Sequence, residues 1–138
     1  MRAIIREIDP GDINFVLNSF MRSLRNYPAY KNVPNEVYYP HQKKVLGHLL
    51  KNKTVLVLCN SELPDQIFGY IIGSKNIETN YVYIKYPYRK FGFATKLMHA
   101  LHPDLGNRTL IASYTCRDWP TISQKYRHVY NPFMEDMV

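Results

Sequence analysis

The sequence predicts an α/β (α+β) domain with a mixed, largely antiparallel central sheet flanked by helices, in the order β-α-α-β-β-β-α-β-α-β. Three observations carry this prediction. Apolar residues recur at helical spacing in two stretches before residue 52. From residue 54 the pattern changes to short β-branched and aliphatic runs separated by turn residues. A strand–helix–strand passage then follows the hairpin-like runs, so parallel neighbours join an otherwise antiparallel sheet. The 138 residues suit one domain, residues 1–138, with no repeat, low-complexity tract or linker.

Residues 3–8 form a β-prone run that stops at the turn signal Asp9-Pro10-Gly11. Asp12 is placed to cap the next helix. Behind it Ile13, Val16, Leu17, Phe20, Met21 and Leu24 make one apolar stripe. Residues 26–40, rich in Tyr and Pro, read as loop or short irregular helix. A second helix is expected from about His41, with Val45, Leu46, Leu49 and Leu50 on one side. Residues 54–59 and 66–73 are strands that pair across a turn containing Pro64. Residues 74–80 read as a polar connection, 81–85 as a strand, and 93–101 as a helix stopped by Pro103. Residues 109–116 are strand again. Asp118-Trp119-Pro120 then starts a short helix to about Tyr126, and residues 129–138 can supply a last strand.

The formal net charge is +7, which draws anions: a nucleotide-bearing cofactor, nucleic acid or an acidic protein. Cys59 and Cys116 both fall in strands and read as buried, reduced thiols rather than a disulfide framework. The N-terminal residues lack the apolar core and cleavage signal of a secretory peptide. No apolar run approaches the ~20 residues that span a bilayer. A reducing, cytoplasmic setting without membrane contact is the expectation.

Residues 82–101 are the informative segment. A strand ends before Pro87, a basic loop follows, and Gly92 stands where a helix begins. Free amides at a helix N-terminus, together with the helix dipole, attract anions. Glycine lets the backbone approach a phosphate with no Cβ in the way. Ala94 keeps the first turn slim, and Arg89 and Lys90 add charge. Across residues 81–102 there are four Lys/Arg and no carboxylate. The alternative is a strand-to-helix turn that needs a glycine and nothing more.

The same segment resembles motif A of the GCN5-related N-acetyltransferase (GNAT) family, whose hallmark is Arg/Gln-x-x-Gly-x-Gly/Ala. Here it reads Arg89-x-x-Gly92-x-Ala94, with Ile84 ending the strand five places earlier. The element order matches across nearly the whole chain. The resemblance implies an acyl-CoA N-acyltransferase domain with acetyl-CoA (coenzyme A) as cofactor and an amine as acceptor, a small molecule or a protein. It implies that the pantetheine arm lies along Tyr83, Ile84 and Lys85. The pyrophosphate would sit on the amides of Lys90, Phe91, Gly92, Phe93, Ala94 and Thr95. It further implies a tyrosine that protonates the departing thiolate, and Tyr126 matches that position, with Tyr130 in reserve. A phenol of pKa about 10 is neutral at pH 7, as this role requires. A core tyrosine on a short helix is the other reading of Tyr126.

Phe91 departs from the family pattern, being bulky where a small or basic residue is usual. The chain also ends twelve residues after Tyr126, where family members close the acceptor groove with a hairpin. The groove is therefore expected to be open, or completed by a second subunit in a homodimer.

Residues 19–51 carry six Lys/Arg and one acid, Glu36, interleaved with Tyr27, Tyr30, Tyr38 and Tyr39. Such mixtures can bind nucleic acid, or form a solvated face with packing tyrosines. Residues 25–39 also resemble acetyltransferase-like proteins of bacteriophages, which would put the protein in a host cytoplasm. His99 and His102 read as surface histidines rather than a metal site, so no metal is expected. Ser113 and Tyr114 can touch substrate or pack on a strand. No general base stands out, Glu78 and His41 being the candidates. The sequence thus points to acetyl transfer from acetyl-CoA to a primary amine by direct attack. The alternatives are a phage-type nucleic-acid-binding or nucleic-acid-modifying protein on the same fold, and a catalytically silent binding member.

Overall fold

A computed structural model describes residues 2–107, 109–113 and 128–131. It contains a six-stranded sheet whose strands lie in sequence order. Strand β1 (Ala3–Glu7) pairs antiparallel with β2 (Thr54–Asn60), and β2 with β3 (Ile67–Ser74). Strand β3 pairs antiparallel with β4 (Glu78–Ile84), whereas β5 (Leu110–Ala112) and β6 (His128–Tyr130) join in parallel. The mixed, mostly antiparallel sheet is the predicted one. The helix expected from Trp119 to Tyr126 lies outside the described residues, as do Cys116 and Tyr114.

Helices α1 (Ile13–Leu24) and α2 (Asn35–Asn52) cover one sheet face, and α3 (Phe93–Leu101) covers the other. Strand alternation sorts the core between them. Val55, Val57, Tyr70, Ile72 and Tyr81 meet Val16, Phe20, Leu24, Leu46 and Leu49. Leu58, Ile71 and Ile84 meet Leu97, Met98 and Leu101. A bulge in the β2–β3 pairing skips Phe68 and turns its ring to the α3 side. There it stacks on Phe93 at 5.5 Å and meets Tyr88 at 4.4 Å between ring centres. Gly69 is required by close approach: a Cβ there would stand 2.3 Å from the Tyr83 carbonyl oxygen. No described helix is long and apolar enough to cross a membrane.

Four sequence expectations are corrected. Helix α2 begins at Asn35, not near His41, because Pro34 supplies a carbonyl to Val37 and Tyr38 (3.0 and 2.9 Å) and so starts the helix. Pro40 lies inside that helix on its exposed side, where solvent can satisfy the carbonyl left without an amide. Asp12 precedes α1, but its carboxylate does not cap that helix. It accepts from the Asp9 amide (2.8 Å) and from both ends of the Arg6 guanidinium (2.6 and 3.0 Å). The Arg6 bond accordingly holds the Asp12 carboxyl below its usual range. Strand β4 starts at Glu78, so residues 78–80 are buried strand rather than polar connection. Finally, His102 is fully buried, while His99 is exposed.

Candidate active site

The site is organised by β4. Its pairing with β3 carries a bulge at Asn80, since Ile72 faces Tyr81 while Gly73 faces Thr79. The Asn80 side chain donates to Ser113 Oγ at 2.9 Å, linking the bulge to the residue just after β5. On β4, the described residues of β5 pair with Glu78 and Thr79. Lys85 donates its amide to the Phe68 carbonyl at 2.8 Å, and by alternation Tyr83 and Tyr81 also face β3. Val82 and Ile84 therefore turn their main-chain groups to the side of β4 away from β3. The Ile84 carbonyl indeed faces that way, accepting from Arg89 Nε at 2.8 Å.

Past β4 the chain makes a single 3-10 turn, Tyr86–Tyr88, and then enters α3. Two residues of this loop lie in the left-handed region, Lys90 (φ 72°) and Gly92 (φ 78°). Gly92 is the residue just before α3, and its carbonyl accepts from the Lys96 amide at 3.0 Å. Among the described residues, none but its chain neighbours would come within 4 Å of a Cβ at Gly92. Packing of the described residues therefore does not demand glycine here; the backbone angle favours it. Phe91 is exposed, with its ring 6.0 Å from that of Phe93. Ala94 and Thr95 are half-buried in the first turn of α3.

Two cationic side chains of this segment, Lys85 and Arg89, lie on the α1 side of the sheet. Lys85 places its ammonium 4.7 Å from the centre of the Phe15 ring, on the α1 side. The Arg89 guanidinium lies 6.0 Å from the Tyr83 ring and 5.8 Å from the Tyr86 ring. It borders an open cleft of about 450 Å³ between α1 and the end of β4. Tyr83 lines the same cleft, and α1 contributes Phe15, Asn18, Ser19, Arg22 and Ser23. These α1 positions recur every three or four residues, which is one helix face. Of the predicted cofactor residues, Tyr83 and Arg89 line this cleft, Lys85 lies over Phe15, Ile84 packs toward α3, and Phe93, Ala94 and Thr95 follow Gly92 in the first turn of α3, while Tyr126 lies outside the described residues. Tyr130, the reserve, is on exposed β6.

Sequence reasoning missed the α1 wall, because Ser19 and Phe15 flank the core stripe and read as its margin. Beneath it, Tyr70 and Tyr81 bond Ser19 (2.8 Å) and Ser23 respectively. Burial pushes both phenols well above their ordinary pKa, so they remain neutral donors. Glu78 and His41 lose their standing as bases. Glu78 is fully buried against the Lys53 ammonium, and His41 is exposed on α2.

Part of the basic, tyrosine-rich stretch proves to be scaffold. Arg25 donates to the carbonyls of Tyr30 and Val33, both at 2.6 Å, and lies over the Tyr38 ring at 4.5 Å. Tyr38 itself is buried and donates to the Met21 carbonyl.

A second polar cluster sits where β5 and β6 join the sheet. The Asn76 amide donates to His102 Nδ1 at 2.9 Å, which makes that nitrogen an acceptor. His102 Nε2 must then carry the proton and donate to Thr79 Oγ1 at 2.8 Å. The Thr79 hydroxyl accepts this bond, lies 2.9 Å from His128 Nε2 and can donate to Met98 Sδ at 3.9 Å. One backbone amide thereby fixes the tautomer of His102. Burial lowers the His102 pKa to about 4, since the cation would lose the Asn76 bond as well as its solvation. Among the described residues no group of three or more His, Cys, Asp or Glu could hold a metal ion.

No protein-family model matches the sequence, and no curated protein matches it. Solved structures do resemble it. A predicted acetyltransferase from Clostridium acetobutylicum, solved with acetyl-CoA, aligns over 91% of this chain and 88% of its own at 15% identity, with a TM-score of 0.62. An N-acetyltransferase from Staphylococcus aureus Mu50 aligns over 92% and 83% at 20% identity, with a TM-score of 0.60. A GCN5-related N-acetyltransferase from Rhodopseudomonas palustris aligns over 73% of this chain at 17% identity, with a TM-score of 0.52. The chain spans only 64% of that neighbour's length. The likeness is one of architecture, and the chain has the fold of the GNAT acetyltransferases.

Proposed function

We propose that the protein is an acetyl-CoA-dependent N-acetyltransferase acting on a primary amine. The observation that carries this reading is that the main-chain groups of Val82 and Ile84 face away from β3 in the strand that leads to a left-handed glycine at a helix N-terminus. An extended polar chain can add to β4 at Val82 and Ile84, and the amides of Lys90 to Thr95 can take a pyrophosphate. The space at Gly92 fits such a group, because among the described residues none but its chain neighbours comes within 4 Å of a Cβ placed there. Acetyl-CoA bound there would supply an activated acetyl thioester.

The residues of the chain do the rest. The Val82 amide, turned away from β3, can polarise a carbonyl oxygen, a form of stabilisation typically worth about 3–4 kcal/mol. The cleft under α1 holds the amine on the opposite side of β4, so that binding replaces a bimolecular encounter by a positioned attack. With Glu78 committed to Lys53, the amine arrives already neutral or gives its proton to water. Tyr126 is the proposed acid, its phenol proton passing to the departing thiolate. Release of free thiol in the presence of an amine panel tests the reading. Wild-type protein should turn over, and Tyr126→Phe should lose about tenfold or more of kcat with the acetyl-CoA affinity unchanged. Full activity in that variant would remove Tyr126 from the mechanism; absence of acetyl-CoA binding by the wild type would remove the proposal.

A further inference from the structure

The cleft between α1 and β4 has a chemistry of its own. Two of its described lining residues are arginines, Arg22 and Arg89, and none of the described ones is acidic. Its serine hydroxyls are already committed. Ser19 bonds the Phe15 carbonyl (2.7 Å) and Tyr70, and Ser23 bonds the Phe20 carbonyl (3.3 Å) and Tyr81. The polar groups that remain among the described lining residues are the Asn18 amide, the Tyr83 hydroxyl, the Arg22 guanidinium and the terminal nitrogens of Arg89. Guanidinium groups only donate, so what they ask for is an acceptor, and a planar anion of two or three oxygens above all.

Arg89 is preorganised for this task. Its Nε is fastened to the Ile84 carbonyl, and its guanidinium lies beside the Tyr83 and Tyr86 rings. Arg22, in the last turn of α1, is exposed. The Lys85 ammonium, over Phe15, adds a third positive charge at the edge. A bare ammonium would be repelled from such a place, whereas an amine with its own anion would be drawn in and oriented. The same charges favour the neutral form of the amine, which is the nucleophile, and so ease its deprotonation.

We infer that the acceptor is a small primary amine carrying a carboxylate or a phosphate, gripped by Arg22 and Arg89 on the α1 side of β4. That it is an acetyl acceptor rests on the proposed acetyl transfer; that the cleft binds such an anion does not. A volume of about 450 Å³ suits a small molecule.

Amide resonances of the full chain, followed while β-alanine, phosphoethanolamine or ethanolamine is added, test the inference. At least one of the two anionic amines should shift Asn18, Ser19 and Ser23, and ethanolamine at equal concentration should not. The one that acts assigns the anion as carboxylate or phosphate. Arg22→Gln should weaken the effect about tenfold to a hundredfold, the range of a charge-assisted bond. Equal shifts with ethanolamine, no shift with either anion, or an unaltered Arg22→Gln protein would overturn it. Acetyl-CoA added to the same sample reports separately on Gly92, Phe93 and Ala94. Anion-dependent shifts at α1 without any response there would leave the anion site standing and remove the acetyl-transfer reading.

Discussion

Gly92 allows the cofactor site to be separated from the stability of the fold. Its φ of 78° disfavours most side chains, so a large substituent would confound strain with lost binding. Asn and Asp tolerate the left-handed region best among non-glycine residues and are nearly the same size. Among the described residues, none but the chain neighbours would come within 4 Å of either Cβ. Gly92→Asn and Gly92→Asp should therefore share a strain of about 1 kcal/mol, or a fall in melting temperature of about 3–6 °C. They differ by one charge. At about 5 Å from a phosphate, with an effective dielectric between 20 and 80, that charge costs about 1–3 kcal/mol. Titration calorimetry with acetyl-CoA should thus show the Asp variant binding about 5- to 150-fold more weakly than the Asn variant, with the gap narrowing in salt. Affinities within twofold at low ionic strength would refute a phosphate at Gly92.

Three further outcomes follow from the geometry. His102 titrates below its usual 6.5, at about 4, so the unfolded chain binds the extra proton between those values. Stability should be fully present above pH 6.5 and fall toward pH 4 by up to about 3 kcal/mol, read by denaturant melts; His102→Gln should flatten that slope. Gly69→Ala forces a methyl against the Tyr83 carbonyl and should cost at least about 1–3 kcal/mol, whereas the exposed Gly47→Ala should not destabilise. Glu78→Gln strands the Lys53 ammonium and should cost about 3–5 kcal/mol, recovered in part by Lys53→Met; a fully stable, inactive Glu78→Gln would return Glu78 to the role of base.

What the sequence showed, it showed through local pattern. The stripe from Ile13 to Leu24 and the Gly92 turn need only a few consecutive residues to be recognised, and both stand where expected. What it hid depends on partners far along the chain. Glu78, Thr79 and Asn80 look like a polar connection until Lys53, His102 and Ser113 are brought beside them. His102 looks like a surface residue at a helix end until the Asn76 amide reaches it. Pro40 misled for the opposite reason: a local helix-breaking rule gave way because the freed carbonyl faces water. The proposed anion site was hidden too, since Arg22 and Arg89 line one cleft only where α1 packs beside β4.

The central claim is that acetyl-CoA lies along the open side of β4 and on the first turn of α3. Amide hydrogen exchange with and without acetyl-CoA tests it most directly. The account predicts slowed exchange at Val82, Ile84 and residues 90–95, with α2 unchanged. Protection confined to any other part of the chain, or none at saturating acetyl-CoA, would contradict it.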